Sequence, residues 1–485
     1  MRSLTSKLLL AATLALPMGT HAAELTPQQQ AFRAIYQELV EINTTDAVGD
    51  TAKAAEAMAA RLRAGGVPAA DVQVFATTPR KGNVVARLRG TGTRKPILLL
   101  AHLDVVEAKP EDWNFDPFKL READGTFGGR GAIDDKAMAA IFVANLIEFA
   151  KENFRPERDI IVALTTDEEL SDSPHNGVRF LLEHHRDLID AEFAINEGGG
   201  AALRNGQPFR VGVQLGEKVY QTFVLEVTDP GGHSASGRRD NAIYRLADAL
   251  SRLAKFDFPA HLNSITRAYF ERVAKIEEPA VAEAIRVLLS GNTNSQFLRQ
   301  LLGDDAEAKL LKPLTERPTY NAQMRTTCVP TLLEAGHAEN ALPQTARATV
   351  NCRIMPDEPV AEVESALKRV IADEQVTLTR KGVAVLSSPS SINPEVLQTV
   401  ARLTAEMWPG VVLNTTMSAG YTDNRWLRNA GIPAYGASGL FSDPGRNGVH
   451  GRNEHVGVKE LYDSKEFLYR LVKQLAAPTA AGQSK

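Results

Sequence analysis

The chain has 485 residues, too many for one ordinary hydrophobic core, so more than one domain is expected. Its apolar and charged fractions, 44% and 24%, are those of a globular protein and exclude a disordered or fibrous chain. A net charge of −4, with no basic cluster interleaved with aromatics, leaves no footprint for nucleic acid.

In chain order, Arg2 and Lys7 precede an apolar run over 8–18, followed by the small residues Gly19, Thr20, Ala22 and Ala23. That is the order of a secretory signal peptide, so residues 1–23 are predicted to be removed and the protein exported, to the periplasm or the medium. A membrane anchor reads less well, because the run is well short of the roughly 20 residues needed to span. No later run is long enough, so the mature chain is predicted to carry no membrane span. Two cysteines, Cys328 and Cys352, are no disulfide scaffold, and whether they pair is open.

Thr26-Pro27 opens a helix to about residue 40, with a capping hydroxyl followed by proline at the first helical position. A second helix runs from about 50 to Gly65-Gly66. Residues 84–88 and 97–103 read as strands, 137–151 as a helix packed on a sheet, 159–164 as a strand, 177–185 as a helix and 193–196 as a short strand. Strands alternating with helices imply an α/β layer. The texture changes near Gly216. Residues 220–228 alternate like a half-exposed strand, and 241–255 form a helix. Residues 256–330 look helical and polar, without a motif. A strand (346–354), a helix (360–372) and a strand (375–380) then complete a small α+β unit inserted into the first domain. The α/β pattern returns after Ser387, with a helix over 394–407, a polar loop over 418–423, a strand over 433–435, a loop over 443–453 and a final helix to about 475. The tail 478–485 is predicted to be disordered.

Acidic and histidine features follow successive strands, where open α/β sheets bind ligands. His102 ends an apolar strand, and Asp104 points to the same side, placed to accept from the second ring nitrogen. Alone, His102 reads as a satisfied core histidine. Asp134 and Asp135 lie in a glycine-bracketed turn before a helix. One of them serves as a helix cap, and the other is free to bind a cation. Glu168 and Glu169 end the next buried strand. Neighbouring residues face opposite ways, so one can bind metal while the other faces substrate, unless both are solvated loop acids. Glu197 precedes three glycines, and His450 lies in a late loop. Together His102, Asp134, Glu169, Glu197 and His450 are too many N/O ligands for one tetrahedral zinc and suit two metals bridged by a carboxylate. No His-Glu-x-x-His helix and no Gly-x-Ser-x-Gly elbow is present.

The ordered set His-x-Asp (102–104), Gly-x-x-Asp-x-Lys (131–136), Glu168-Glu169, Asn196-Glu197-Gly198-Gly199, Gly231-Gly232-His233-Ser234 and a late loop histidine resembles the M20 metallopeptidase family over nearly all of the mature chain. Asp104-Val105-Val106, Trp113 through Pro117-Phe118, and residues 129–136 are most similar to its branch holding carboxypeptidase S and secreted N-acyl-amino-acid hydrolases. The resemblance implies an α/β fold of the zinc-exopeptidase kind, a mixed sheet flanked by helices. It is split into 24–216 and 387–477 by an inserted α+β lid, 217–386, with a ferredoxin-like sheet and extra helices.

It also implies two Zn2+ ions, with Co2+ or Mn2+ as substitutes. One would be held by His102, Asp134 and Glu197, the other by Asp134, Glu169 and His450, with His455 the rival for the last ligand. The peptide after Asp134 would be cis. Glu168 would be the general base, Asp104 the residue that orients His102, and His233 the oxyanion donor, often supplied by a partner subunit. Asn340, Arg353 and Arg380 would bind substrate, with a structural ion pair as the other reading of Arg353. The expected substrate is a small peptide or N-acyl amino acid with a free carboxylate. Aminopeptidase or dipeptidase action is the alternative, and a non-catalytic binding protein a remote one. A homodimer through the lid is expected of the family, but the insert exceeds the minimal lid and leaves the oligomer open.

Overall fold

The computed structural model describes residues 25–170, 173–291, 305–443 and 446–477, so the predicted signal peptide and the tail lie outside it. The apolar runs build a ten-stranded mixed sheet. Its order is Val72–Thr78, Lys81–Leu88, Ile160–Thr165, Ile97–His102, Phe193–Asn196, Ala434–Gly436, Gln207–Glu217, Ala201–Arg204 and Phe441–Ser442, and Val412–Ser418 also pairs with Gln207–Glu217. The four strands from Ile160–Thr165 to Ala434–Gly436 are parallel, so their carboxyl ends share one rim of the sheet.

Both faces are covered, which is why Ile97–His102 and Ile160–Thr165 are apolar and buried throughout rather than alternating. Ile97, Leu99 and Ala101 join the core under helices Pro27–Glu41, Thr51–Ala64, Lys136–Lys151, Pro394–Met407 and Val458–Ala476. Leu98 and Leu100 face the opposite way, against Val178, Leu181 and Leu427 of the shorter helices Gly177–His184 and Asn424–Asn429. Helix Lys136–Lys151 is buried on almost every side because it sits between the sheet and the first and last helices. None of the described helices is long and apolar enough to cross a membrane.

Strand Gln207–Glu217 continues through Lys218 into Val219–Thr228, and this crossing carries the chain into a second sheet. That sheet is antiparallel, ordered Thr327–Ala335, Thr345–Ile354, Val219–Thr228, Val376–Lys381. Helices Ala242–Leu253 and Val360–Ile371 pack on one face, giving the βαββαβ, ferredoxin-like arrangement. Cys328 and Cys352 are directly opposed on neighbouring strands and are disulfide-bonded, at 1.99 Å.

Several strands differ from expectation, Val72–Thr78 and Ala201–Arg204 among them. Gln207–Glu217 and its parallel partner Val412–Ser418 are also unpredicted, because Gly212, Gly216, Gln214, Asn414 and Thr415 hide the apolar signature. Residues 327–330, read as the end of a helical stretch, begin a strand. The helices Ser264–Val273, Pro279–Ser290, Ala306–Thr315 and Pro318–Met324 form their own core around Tyr269, Phe270, Ile285, Leu311 and Met324. They rest on the large sheet, not the small one. Ser264–Val273 packs on Val412–Ser418, Arg272 Nη1 donates to Leu413 O at 3.0 Å, and Arg204 pairs with Glu277 at 2.8 Å.

Candidate active site

The shared rim of the parallel strands delivers the acids and histidines to one place. His102 ends its strand buried, and its Nδ1 lies 2.9 Å from the main-chain oxygen of Asp104. A carbonyl can only accept, so Nδ1 carries a proton and Nε2 is the atom turned toward the acids. This corrects the expected Asp104 carboxylate partner, which stands 3.7 Å away. The carboxylate is engaged elsewhere: it accepts from the backbone N–H of Glu168 at 3.2 Å and of Glu169 at 3.0 Å.

His102 Nε2 lies 3.1 Å from Asp134 Oδ1 and 3.9 Å from Glu197 Oε1. The second Asp134 oxygen lies 3.1 Å from His450 Nε2, which is 3.0 Å from Glu169 Oε1. The ligand atoms of His102, Glu168 and Glu197 lie within 4.8 Å of one another, as do those of His102, Asp134 and Glu169. The Asp134–Asp135 peptide is cis. Asp135 occupies the cap position of helix Lys136–Lys151, but its side chain makes no capping bond and is buried. Lys136 points away from the cluster, with Nζ donating to Ile42 O at 2.7 Å. After Glu197 the chain turns through Gly198, Gly199 and Gly200 at positive φ. A side chain at Gly199 would strike the carbonyls of Gly436 and Gly212.

The acids divide: most are pushed up, whereas Asp134, despite its burial, is held low by its bonds to His102 and His450. Burial, then the charge of Glu197, pushes the Glu168 carboxyl well up, and burial followed by Asp134 does the same to Glu197. Burial lifts Asp104 to about 7. Burial opposes a charged His102 ring, but Asp134 and Glu197 outweigh it and raise the ring pKa. His450 is raised to about 10 by hydrogen bonds to Asp134 and Glu169. A cluster of acids that resists ionising, with one buried Glu168 oxygen lacking a protein partner, fits an environment completed by cations.

A cleft of about 320 Å³ opens on this cluster, lined by Val106, Asp134, Glu168, Glu169, Glu197 and His450, and on its other walls by Tyr220, Arg353, Gly420 and Tyr421. Arg353, from the small sheet, reaches the cleft within the same chain. Its guanidinium lies 4.7 Å from the Tyr220 ring centre, and its buried Nη1 has no protein partner.

The other proposed residues are elsewhere. Arg380 bonds Glu364 at 2.7 Å and does not line the cleft. His233 and Asn340 are exposed together on a small ribbon, where His233 pairs with Ala341 and Ser234 N donates to Asn340 O at 3.0 Å; neither lines the cleft. His455 sits in a strand against Gly128, with Nδ1 on Asn453 O.

Two buried acids escaped the sequence reading. Glu454 accepts from Arg130 Nη1 at 2.7 Å and from the N–H groups of Gly131, Ile133 and Asp134 at 3.0, 2.9 and 3.1 Å. Asp423 accepts from Asn176 at 2.8 Å and adds its charge to those raising Glu168. The only signal for either was its place at the end of a polar loop.

A family model described as peptidase family M20/M25/M40 matches residues 98–474. The chain is similar to the N-fatty-acyl-amino acid synthase/hydrolase PM20D1 of Homo sapiens, at 30% identity over 393 residues, covering 78% of this chain and 74% of that protein. It is also similar to a probable carboxypeptidase S-like 2 of Dictyostelium discoideum, at 28% identity over 390 residues, covering 78% and 71%. Among solved structures, an M20 family metallo-carboxypeptidase from Sulfolobus solfataricus superposes with a TM-score of 0.65 at 18% identity, over 92% of this chain and 99% of that one.

Two outcomes are expected from this geometry. Glu454→Ala leaves the buried Arg130 unpaired and should cost about 3–5 kcal/mol in chemical denaturation. The second concerns pH. An unfolded carboxyl ionises at about 4, so between about 4 and 7 rising pH favours the unfolded chain over a fold that keeps Asp104 protonated. His450 adds the same sign, because its stabilisation is complete below about 6.5 and is lost as pH rises through about 10. Without added cation the melting temperature should therefore fall as pH goes from about 5 to 9, and Zn2+ should flatten the trend. A cation-free melting temperature that climbs across that window would contradict the assignment.

Proposed function

The chain belongs to peptidase family M20/M25/M40, hydrolases of the metallopeptidase and amidohydrolase type, and we propose that it is an exported di-zinc enzyme cleaving the amide of a small peptide or N-acyl amino acid that bears a free carboxylate. The observation that carries this reading is the cleft itself. One wall gathers Asp134, Glu168, Glu169, Glu197 and His450, and another offers the Arg353 guanidinium, whose Nε bonds Asn351 while its Nη1 has no protein partner.

His102, Asp134 and Glu197 are suited to hold one cation, and Asp134, Glu169 and His450 the other, because the two oxygens of Asp134 face the two histidines separately. The all N/O donor set suits zinc. When bound, such cations acidify a water and polarise an amide carbonyl. Glu168 takes a proton from the attacking water and returns it to the leaving amine, a role for which its unpartnered buried oxygen and raised pKa prepare it. Asp104 fixes the Glu168–Glu169 backbone, so the two carboxylates keep separate directions. Arg353 is placed for the substrate carboxylate, which its planar fork matches.

His233 is proposed as the oxyanion donor. Because it lies outside the cleft of its own chain, it would act on a second copy, with Asn340 beside it. The edge strand Thr327–Ala335 exposes Val329, Leu332 and Leu333 at 55, 58 and 66%, an uncommon apolar edge that pairing of two small sheets would cover.

Glu168→Gln should retain bound metal by elemental analysis and lose turnover of an N-acyl amino acid by about 10²–10⁴. Metal loss in that variant would exchange the roles of Glu168 and Glu169, and full activity in chelator would remove the reading altogether. Blocking the substrate carboxylate as an amide should abolish turnover, whereas a free amine should not be required. Sedimentation velocity should show a dimer that Leu332→Asp with Leu333→Asp converts to an inactive monomer; a fully active monomer would refute the role of a second copy.

A further inference from the structure

The cleft has two side cavities, and they leave it past different walls. One shares Tyr220 and Tyr421 with the cleft, on the side where Arg353 stands, and continues to Val383 and Val385. The other shares Val106 and Glu169 and none of the residues around Arg353. The scissile amide must sit at Glu168 between them. On the proposed function, the substrate carboxylate occupies the Arg353 side. We infer that the cavity beyond Val106 and Glu169 is the pocket for the acyl group, and that it takes a short apolar acyl chain of up to about six carbons rather than a long fatty one.

The chemistry of the walls supports an apolar guest. Charged residues border the cavity, but each is engaged. Lys81 Nζ bonds Asp167 at 2.6 Å and Asp46 at 2.7 Å. The Asp104 carboxylate holds the Glu168 and Glu169 N–H groups, Glu107 accepts from Ala47 N at 2.9 Å, and Arg80 donates to Gly49 O at 2.9 Å. The hydroxyls of Thr45 and Thr51 are bonded to Asn43 and Thr166, and that of Thr44 is buried. What remains facing the space is carbon: the threonine methyls, Val105, Val106 and Leu170. A guest that brought polar groups here would have to compete with these bonds.

Size sets the limit. The cavity holds about 160 Å³. A dry aliphatic cavity of about 150 Å³ accommodates benzene. A group of four to six carbons therefore fills the pocket, while a chain of twelve or more has to leave it for solvent or displace the fixed ion pairs behind it.

The test uses the purified full chain with added Zn2+ and a series of N-acyl derivatives of one amino acid, from acetyl through butanoyl and hexanoyl to dodecanoyl and hexadecanoyl. kcat/KM should rise up to about fourfold per added methylene as far as hexanoyl, then fall at least tenfold by dodecanoyl. Leu170→Trp, which fills the cavity, should move the optimum to acetyl, and Leu170→Ala should move it beyond hexanoyl. If the tryptophan variant does not fold, the wild-type profile and the alanine variant decide. Rates that keep climbing to hexadecanoyl, or an optimum that neither substitution moves, overturn the pocket alone. No turnover of any member overturns the hydrolase reading, and the pocket with it.

Discussion

The site depends on a buried carboxylate that touches neither cation position. Glu454 gathers three backbone donors of the turn before Asp135, those of Gly131, Ile133 and Asp134, together with the guanidinium of Arg130. Those donors lie in a turn, outside any strand or helix, so a side chain has to satisfy them. Glu454 thus fixes Asp134 from a residue 320 positions away, and its own loop carries His450. Asp134 and His450 meet at 3.1 Å because one carboxylate holds both supports. Asp104 repeats the device, anchoring the backbone of Glu168 and Glu169 beside His102. Each anchor acid spends its charge on backbone dipoles, so the side chains it positions are left free for chemistry.

This construction concentrates acids. Asp104, Asp134, Asp135, Glu168, Glu169, Glu197 and Asp423 crowd together in the buried site, where His102 and His450 compensate much of the charge and Arg425 some of that on Asp423. The raised acid pKa values and the raised histidines are two expressions of one deficit of positive charge. Divalent cations remove that deficit, which links the fold's cost in their absence to its activity in their presence.

The rim is legible at three points, where a charged residue follows a short buried strand and has few structural uses, whereas Asp134 and His450 lie in a turn and a late loop. Ile97–His102, Ile160–Thr165 and Phe193–Asn196 announce His102, Glu168-Glu169 and Glu197 in this way. The same logic fails for Gln207–Glu217 and Val412–Ser418, whose interiors carry glycine and amides packed against neighbouring backbone. Partners are also invisible to spacing. His-x-Asp suggested a carboxylate on the imidazole, but the residue bends so that its main-chain oxygen takes that place. Arg353 and Arg380 looked alike in sequence. One register position turns the first toward Tyr220 in the cleft, while the second pairs with Glu364 on an adjacent helix.

The helical insertion bears on how the small sheet can act. Its helices dock on Val412–Ser418 of the large sheet, yet the chain enters them from one strand system and leaves them for Thr327–Ala335 of the small sheet. Arg325, at the exit, has its carbonyl bonded by Lys218 Nζ at 2.6 Å, and Lys218 is the crossing residue between the two sheets. The small sheet is therefore tied to the body at its crossing strand and again through the insertion. Swinging the small sheet toward the acidic rim would break these buried contacts. The same ties hold Arg353 in the wall of the cleft. Arg353 thus stands at the cleft while His233, on the same small domain, faces away from it.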